Sequence, residues 1–280
     1  MPKKKSLMNT LVKVLLYSIL ILLAVSFLYP LLFMVMNSVR TQVQYMTNPF
    51  GLELSRATLQ NYKLIFTNFK IGKYLWNTLL ATVMKVAVTI PLSIIASYSF
   101  AKLEFRGKKI VYPIIMIAMF IPFQVIMIPM YVMLTKMHLL NSFWGLTLVT
   151  STLAIPGSIL LMTSSFRGIP NEMVEAATLD GCGFFRVIWN VIVPIGKPTI
   201  AISFIMTFIG GWNDLLPPMV IMKDTSTQLI MPALNNLVSL YSKDIPFQLT
   251  GLLIASLPAI LIYIILQRQI IMGISGGSIK

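Results

Sequence analysis

Six long apolar windows alternate with short polar segments along the chain, and they set the expected architecture. They cover residues 14–35, 75–100, 110–134, 143–165, 198–222 and 247–267. Each window is long enough to cross a hydrocarbon layer about 30 Å thick, which takes roughly 20 helical residues. The pattern predicts an all-α polytopic membrane protein with six transmembrane helices in a single domain spanning residues 1–280.

Composition supports a lipid environment. Hydrophobic residues make up 57% of the chain and charged residues 11%, whereas soluble domains carry about 25% charged residues. The net charge of +14 would indicate nucleic-acid binding in a soluble protein. Here the basic residues lie between the apolar windows, so we expect membrane lipid and no nucleic acid as a partner.

The distribution of basic residues predicts an orientation. Lys3, Lys4 and Lys5 precede the first window, which is too long for a signal peptide and has no cleavage site, so we expect an uncleaved first span. The short loop AKLEFRGKK between the second and third windows is strongly basic, whereas the first loop, with Arg40, weakens the bias. Because basic loops stay in the cytoplasm, an even number of spans places both termini there.

The segment 166–197 breaks the pattern, because it is long for a turn between adjacent spans. Asn171 can cap a helix that carries Glu172 and Glu175 near its start, the end that favours negative charge. Gly181 suits a left-handed helix stop. A second helix should follow and end at Pro194, with an apolar stripe of Phe185, Ile188, Trp189 and Ile192. Periodicity alone leaves open whether this segment is an amphipathic connector at the membrane interface or a docking element.

The spacing of residues in this segment resembles a known family. Glu175, Ala176 and Ala177 precede Gly181 by the interval seen in the EAA loop of binding-protein-dependent ABC importer permeases, and Val193-Pro194 matches the later hydrophobic-Pro pair. Asp180-Gly181 is similar to the form found in carbohydrate permeases. Further likeness lies in the run Tyr98–Lys102, in GGWND at 210–214 and in the tail QRQIIMGISGGSIK. The chain resembles the maltose-type second permease subunit.

This resemblance implies a type I ABC importer permease fold with a cytoplasmic coupling helix in a bacterial inner membrane. The implied partners are a second permease in a heterodimer, two ATPase subunits and an extracytoplasmic solute-binding protein that delivers a sugar. ATP and Mg would be used by the ATPase subunits, and this chain would bind no cofactor and would not be an enzyme. The residues implied to couple to an ATPase are Glu172, Glu175, Ala176, Ala177, Asp180, Gly181 and Pro194.

Polar residues inside the windows are candidates for the substrate path. Asp214 falls near the middle of the fifth window, where an ionisable group should face protein or water. Trp212 and Asn213 could stack on a sugar ring and bond its hydroxyls, whereas Asp214 could instead fix helix packing. Lys85 in the second window is a possible partner for Asp214. Weaker candidates in the third window are Gln124 and Tyr131.

Other functions find little support in the residues. The chain has no G-x-x-x-x-G-K-[ST] phosphate loop, and its single histidine and eight acidic residues suggest neither a catalytic set nor a metal site. A secondary transporter remains an alternative, although such proteins do not require a structured cytoplasmic loop. Within the importer class, glycerol phosphate or a glycerophosphodiester is the alternative cargo.

Overall fold

The computed structural model describes residues 2–51, 56–241 and 243–276, and the side chains of 11–51, 56–241 and 243–268. The tail from residue 269 and Lys3 to Lys5, both used in the sequence analysis, lie outside the described side chains. No strand occurs in the described residues. The helices are α1 Pro2–Ser38, α2 Gln42–Thr47, α3 Gln60–Thr67, α4 Ile71–Lys102, α5 Lys108–Ile117, α6 Phe123–Lys136, α7 Phe143–Arg167, α8 Asn171–Leu179, α9 Phe184–Val187, α10 Val193–Trp212, α11 Leu216–Ile221, α12 Ile230–Leu240 and α13 Ile245–Gly276.

The chain forms two compact units. One contains Met1–Ile71 and Asn236–Ser256, and the other contains Gly72–Asn235 and Leu257–Lys280. A single membrane domain over residues 1–280 therefore stays a prediction.

The first unit is organised around Arg40, which the sequence analysis counted as a loop charge. Arg40 is 3% exposed, and its guanidinium donates hydrogen bonds to the carbonyls of Gln44 (2.9 Å) and Asn48 (2.7 Å). Asn61 from α3 donates to the carbonyl of Arg40 at 2.8 Å. Because a buried guanidinium needs acceptors for its donors, the loop after α1 folds tightly around this side chain.

Five helices in the described chain are long and apolar enough to cross a membrane, and α5 with α6 adds a sixth span if that bent pair is counted as one. The prediction of one helix over 110–134 is therefore wrong. α5 passes into a 3-10 turn at Ala118–Phe120, and α6 begins at Phe123 after a 100° bend. Pro122 has no N–H for the carbonyl of Ala118, four residues earlier, and its ring excludes that helical turn.

The helix predicted to end at Pro194 instead continues. Residues Phe184–Trp212 are one long helix, with a π-helical turn at Ile188–Ile192 before α10. The N–H of Val193 bonds the carbonyl of Ile188, five residues earlier. Pro194 has no N–H to donate to the carbonyl of Asn190, four residues earlier. Because the π-helical turn includes Asn190 and is wider than an α-helical turn, the helix continues through the proline.

The fifth predicted span, 198–222, is also wrong as a single helix. α10 ends at Trp212, and α11 begins at Leu216. Pro217 and Pro218 cannot donate to the carbonyls of Asn213 and Asp214, four residues earlier, so the helix breaks at these two residues.

Two apolar clusters hold the second unit together. One joins the later halves of α4 and α7 to α9 and the π-helical turn, and its buried members include Tyr98, Phe166 and Ile188. The other joins α6, the start of α7 and α11, and includes Met130, Leu146 and Ile221.

The packing of α10 on α7 predicts unequal effects of two glycine substitutions on α10. A Cβ at Gly196 would lie 2.5 Å from Cε1 of Phe166, whereas a Cβ at Gly210 would meet nothing within 4 Å. Phe166 is fully buried, so we expect Gly196→Ala to destabilise the fold by about 1–3 kcal/mol through overpacking. Gly210→Ala should be neutral, or stabilising by about 0.5–1 kcal/mol. Thermal unfolding of the detergent-solubilised chain measures both, and equal midpoints would contradict the packing argument.

Candidate functional site

The helix α8 carries the residues that resemble the coupling loop. It begins at Asn171 after Pro170, so Asn171 is the first helical residue and not the cap that the sequence predicted. Its side chain has another role, since its Oδ1 accepts a hydrogen bond from Lys102 Nζ at 2.8 Å. The same ammonium donates to the carbonyl of Ile169. Lys102, the last residue of α4, therefore fixes the position where α8 begins.

The predicted left-handed stop at Gly181 is confirmed, with a φ of +82°. The N–H of Gly181 bonds the carbonyl of Thr178 at 3.0 Å, and the N–H of Cys182 bonds the carbonyl of Ala177 at 2.9 Å. These two bonds form a Schellman motif, which satisfies the last carbonyls of a helix. The turn therefore gives α8 a defined end.

The two faces of α8 differ in exposure. Val174 and Ala177 pack against the buried cluster of Tyr98, Phe166 and Ile188. The opposite face is exposed. Its residues follow one another at helical spacing, and they are Glu172, Glu175, Ala176 and Leu179. Leu179 is 88% exposed, and the sequence analysis missed it. We name these four residues the exposed face of α8; it combines two carboxylates with an apolar tip.

The predicted apolar stripe of the following helix is only partly correct. Ile188 and Ile192 are buried at 1% and 0% exposure, but Phe185 and Trp189 are 61% and 58% exposed. The π-helical turn shifts the helical phase between these residues, so a constant period of 3.6 residues misplaces them. Pro194 is exposed in the first turn of α10, and Asp180 is exposed at the end of α8.

A second contact joins α4 to this hairpin. The ring centroids of Tyr98 and Phe184 are 5.3 Å apart with a tilt of 56°. Tyr98 and Lys102 lie one helical turn apart on α4, so the end of this helix holds α8 at its start and α9 at its first residue. The run Tyr98–Lys102, which carries part of the family likeness in the sequence, therefore also positions this hairpin.

A buried ion pair lies further along the same helix. Lys85 Nζ is 2.8 Å from Asp214 Oδ2, and their side chains are 9% and 27% exposed. The predicted partnership is confirmed, but Asp214 lies in the break between α10 and α11 and not in the middle of a span. A Cβ on Gly211 would be 3.1 Å from Lys85 Cδ, so the glycine gives the lysine stem its space.

The other predicted path residues are dispersed. Trp212 is 2% exposed, and its ring stacks on Phe208 at 5.9 Å and 11°. The predicted sugar stacking by Trp212 therefore finds no support in this conformation. Asn213 and Gln124 are exposed. Tyr131 lies under Lys223, whose Nζ is 4.7 Å from its ring centroid.

A cavity of about 380 Å³ opens beside Lys85 between α4, α7 and α10. Its lining includes the hydroxyl residues Ser158, Ser203 and Thr207, which the sequence analysis missed. Ser203 is 2% exposed, and its hydroxyl has no hydrogen-bond partner in the part of the chain that the structure describes. A mostly apolar cavity of this size with a few hydroxyl groups and one charged residue suits a small organic ligand that carries hydroxyls.

A buried polar stripe on α4 leads to this cavity. Its members lie three or four residues apart and are all buried: Thr78, Thr82, Lys85, Thr89, Ser93 and Ser97. The sequence contains a signal for this buried stripe, since its polar residues recur at helical spacing inside an apolar window. Such a stripe should face protein and not lipid.

Comparison with known proteins identifies relatives along nearly the whole chain. MsmG, a multiple sugar-binding transport system permease protein of Streptococcus mutans, is 31% identical over 268 residues, or 94% of this chain and 96% of that protein. AmyC, a probable starch degradation products transport system permease protein of Thermoanaerobacterium thermosulfurigenes, is 30% identical over 260 residues, or 93% of this chain and 94% of that protein.

Solved structures show the same fold at low identity. A chain of a bacterial ABC transporter involved in the import of the acidic polysaccharide alginate superposes with a TM-score of 0.78 at 19% identity, covering 93% of this chain and 96% of the other. A chain from a structure of the alginate transporter in complex with a pentasaccharide-bound periplasmic protein superposes with a TM-score of 0.65 at 15% identity. The match covers 92% of this chain and 93% of the other. Residues 89–275 match the family described as binding-protein-dependent transport system inner membrane component. This chain belongs to that family, and it has the type I fold of ABC importer permeases.

Proposed function

We propose that this chain is the permease subunit of an ATP-driven importer for a sugar or oligosaccharide delivered by an extracytoplasmic binding protein. The observation that carries the proposal is the exposed face of α8, on a short helix held at both ends. Its start is fixed by Lys102 and its end by the Schellman turn at Gly181. A helix that is anchored yet exposes Leu179 at its tip is suited to docking in a groove of another protein.

The occupant of that groove is an ATPase subunit. ATP and Mg bind to a pair of these subunits and not to this chain, which works with a second permease. Closure of the ATPase pair on ATP then moves α8 and drives alternating access as a rigid-body change. Both termini lie in the cytoplasm in this arrangement, on the same side as α8. The coupling residues are those of the EAA-like segment, with Leu179 added.

The anchors of α8 provide a route to the membrane interior. Lys102 and Lys85 lie on one continuous helix, α4. At a rise of 1.5 Å per residue, the 17 residue steps from Lys85 to Lys102 span about 25 Å. Motion of α8 therefore reaches the Lys85–Asp214 pair through a single helix and needs no chain of side-chain contacts.

The cargo is a neutral sugar. The relatives named above transport starch degradation products and multiple sugars, as their names state. In this chain the cavity beside α4 has hydroxyl groups, and the charge of Lys85 is balanced by Asp214 at 2.8 Å. An anionic cargo such as glycerol phosphate would require an unpaired cation there, so the geometry favours the sugar.

The coupling role predicts that Gly181→Ala weakens association with the ATPase, whereas Gly183→Ala does not. A side chain at the φ of +82° of Gly181 costs about 1–2 kcal/mol and distorts the end of α8. Gly183 has a φ of −74°, and a methyl group added there would meet nothing within 4 Å, which makes it the matched control. Co-purification of the ATPase after mild detergent extraction measures the effect.

Glu175→Lys tests the exposed face directly, because it reverses a charge without altering the turn. We expect Glu175→Lys to reduce the amount of ATPase that co-purifies. The control is Asp224→Lys, because Asp224 is an exposed acid in the loop after α11. If the native chain purifies without an ATPase, or if the Gly181 and Glu175 variants both retain it fully, the importer proposal fails and a secondary transporter becomes the better interpretation.

The ion pair predicts an asymmetric double-mutant cycle. Asp214→Asn leaves the more deeply buried Lys85 without its partner, so its cost should approach the roughly 3–5 kcal/mol typical of broken buried pairs. Lys85→Met leaves Asp214, which water can partly reach, and should cost less. The double variant Lys85→Met with Asp214→Asn should be more stable than Asp214→Asn alone. Thermal unfolding midpoints, with Lys136→Met as the exposed control, measure the cycle, and additive effects would show that the pair is not coupled.

The cargo proposal predicts that uptake of a labelled oligosaccharide by the reconstituted complex is not inhibited by excess glycerol phosphate. Ser203→Ala, which removes a hydroxyl from the cavity, should raise the sugar concentration for half-maximal uptake by roughly two- to tenfold, the effect of one lost hydrogen bond. Ser226→Ala, at a position that does not line the cavity, is the control. Inhibition by glycerol phosphate at the level of unlabelled sugar would assign the anionic cargo instead.

A further inference from the structure

A second cavity, of about 270 Å³, has a different chemistry from the one beside Lys85. It is formed where α4 ends, α5 begins and α7 ends. Its lining combines charged groups with aromatic rings: Phe100, Glu104, Lys108, Lys109, Tyr112 and Arg167.

The rings form an apolar wall of this cavity. The ring centroids of Phe100 and Tyr112 are 5.2 Å apart in an edge-to-face arrangement, and Phe100 is 6% exposed. The guanidinium of Arg167 lies over the Tyr112 ring, 5.5 Å from its centroid. Stacking on an aromatic face leaves the N–H donors at the edge of the guanidinium available to a ligand.

The cations exceed the acids at this cavity. Glu104 accepts a hydrogen bond from Lys108 at 2.8 Å, and this bond and the charge of Lys108 hold the pKa of the Glu104 carboxyl below its usual value. That pair is neutral together. Within the described residues, no carboxylate lies within ion-pair distance of Lys109 or Arg167. The charge of Lys109 also lowers the pKa of Glu104, and three cations against one carboxylate leave a net positive charge of two beside the cavity.

Lys102 shows the contrast with a cation that has a structural role. Its ammonium donates to the Ile169 carbonyl and to Asn171 Oδ1, so its donors are used within the protein. Lys109 and Arg167 have no such side-chain acceptors among the residues that the structure describes. The start of α5, whose N-cap is Gly107, adds the positive end of a helix dipole to the same region.

The surface next to the cavity is apolar. Along α5, Ile110, Ile114 and Ile117 are 67%, 60% and 62% exposed, and they form a helical stripe whose first member directly follows the cavity-lining Lys109. A ligand that suits both parts must have an anionic head and an apolar tail. Free phosphate satisfies only the first requirement.

We propose that this cavity binds the phosphate head group of an anionic phospholipid, with the acyl chains along the exposed face of α5. Lys109 and Arg167 contact the phosphate, and Tyr112 holds the guanidinium in place. Basic pockets between spans near the membrane surface bind the head groups of anionic lipids. The site lies on the loop that joins α4 to α5, and α4 also holds α8 and the ion pair.

The test compares lipids on the full chain purified with its partner subunits in mild detergent. Native mass spectrometry counts bound dioleoylphosphatidylglycerol and dioleoylphosphatidylcholine, which share acyl chains but differ in net charge. We expect the anionic lipid to be retained at least about fivefold more strongly. The double variant Lys109→Gln with Arg167→Gln should bring the two lipids to equal retention. The control variant Lys136→Gln with Arg186→Gln removes two exposed cations elsewhere and should keep the preference.

Three outcomes would overturn the proposal. The first is equal retention of both lipids by the native chain, and the second is an unchanged preference in the Lys109 and Arg167 variant. The third is displacement of phosphatidylglycerol by inorganic phosphate in molar excess, which would make the ligand a free anion. The single variant Lys109→Gln controls for misfolding, since Lys109 is exposed. A partial loss of the preference for phosphatidylglycerol in this variant, with an unchanged unfolding midpoint, supports the site.

Discussion

A lysine ammonium that is shielded from water at an apolar span needs oxygen acceptors within the protein, because an unpaired charge there is costly. α4 meets this requirement at two positions. Lys102 donates to oxygens at the start of α8, and Lys85 pairs with Asp214 in the break after α10. Each bond joins a segment that is distant in sequence to the same helix. The exposed face of α8 and the cavity beside Lys85 therefore have fixed positions relative to one continuous helix.

The sequence predicted the helices better than their interruptions. Windows of apolar residues located the central part of every long helix, since the length and hydropathy of a span are local properties. The apolar windows themselves give no sign of the breaks at Ala118–Phe120 and at Asn213–Asp214, or of the π-helical turn at Ile188–Ile192. Yet each lies four residues before a proline, at the carbonyl that the proline leaves without a donor. A proline alone does not locate a break, because Pro91, Pro129 and Pro156 lie inside continuous helices. Whether the helix breaks depends on whether neighbouring groups satisfy the freed carbonyl.

In the candidate site, too, some features could be predicted from the sequence and others could not. Gly181 could be predicted because a left-handed stop depends on one residue and its position in the chain. The tie from Lys102 to Asn171 could not, since it joins residues 69 apart in sequence and depends on how α4 and α7 pack. The partner of Asp214 was within reach, because Lys85 is the basic residue inside an apolar window. Trp212 is different: an aromatic ring near polar residues suggested ligand stacking, which stays a prediction, and in this structure the ring stacks on Phe208, one turn away on the same helix.

The proline breaks also explain how a charged pair can lie so near the cavity. A continuous helix through residues 213 and 214 would direct Asp214 by the helical period and satisfy its carbonyl internally. Because Pro217 and Pro218 end that helix, the backbone at Asp214 is free to place the carboxylate against Lys85, and Gly211 leaves room for the lysine stem. Irregular backbone at membrane depth is tolerated where it is buried in protein or lines a cavity, and Asp214 lines a small cavity together with Lys85 and Thr150. The break, the ion pair and the hydroxyl-lined cavity are thus one arrangement, and a movement of α4 that separates Lys85 from Asp214 would change all three together.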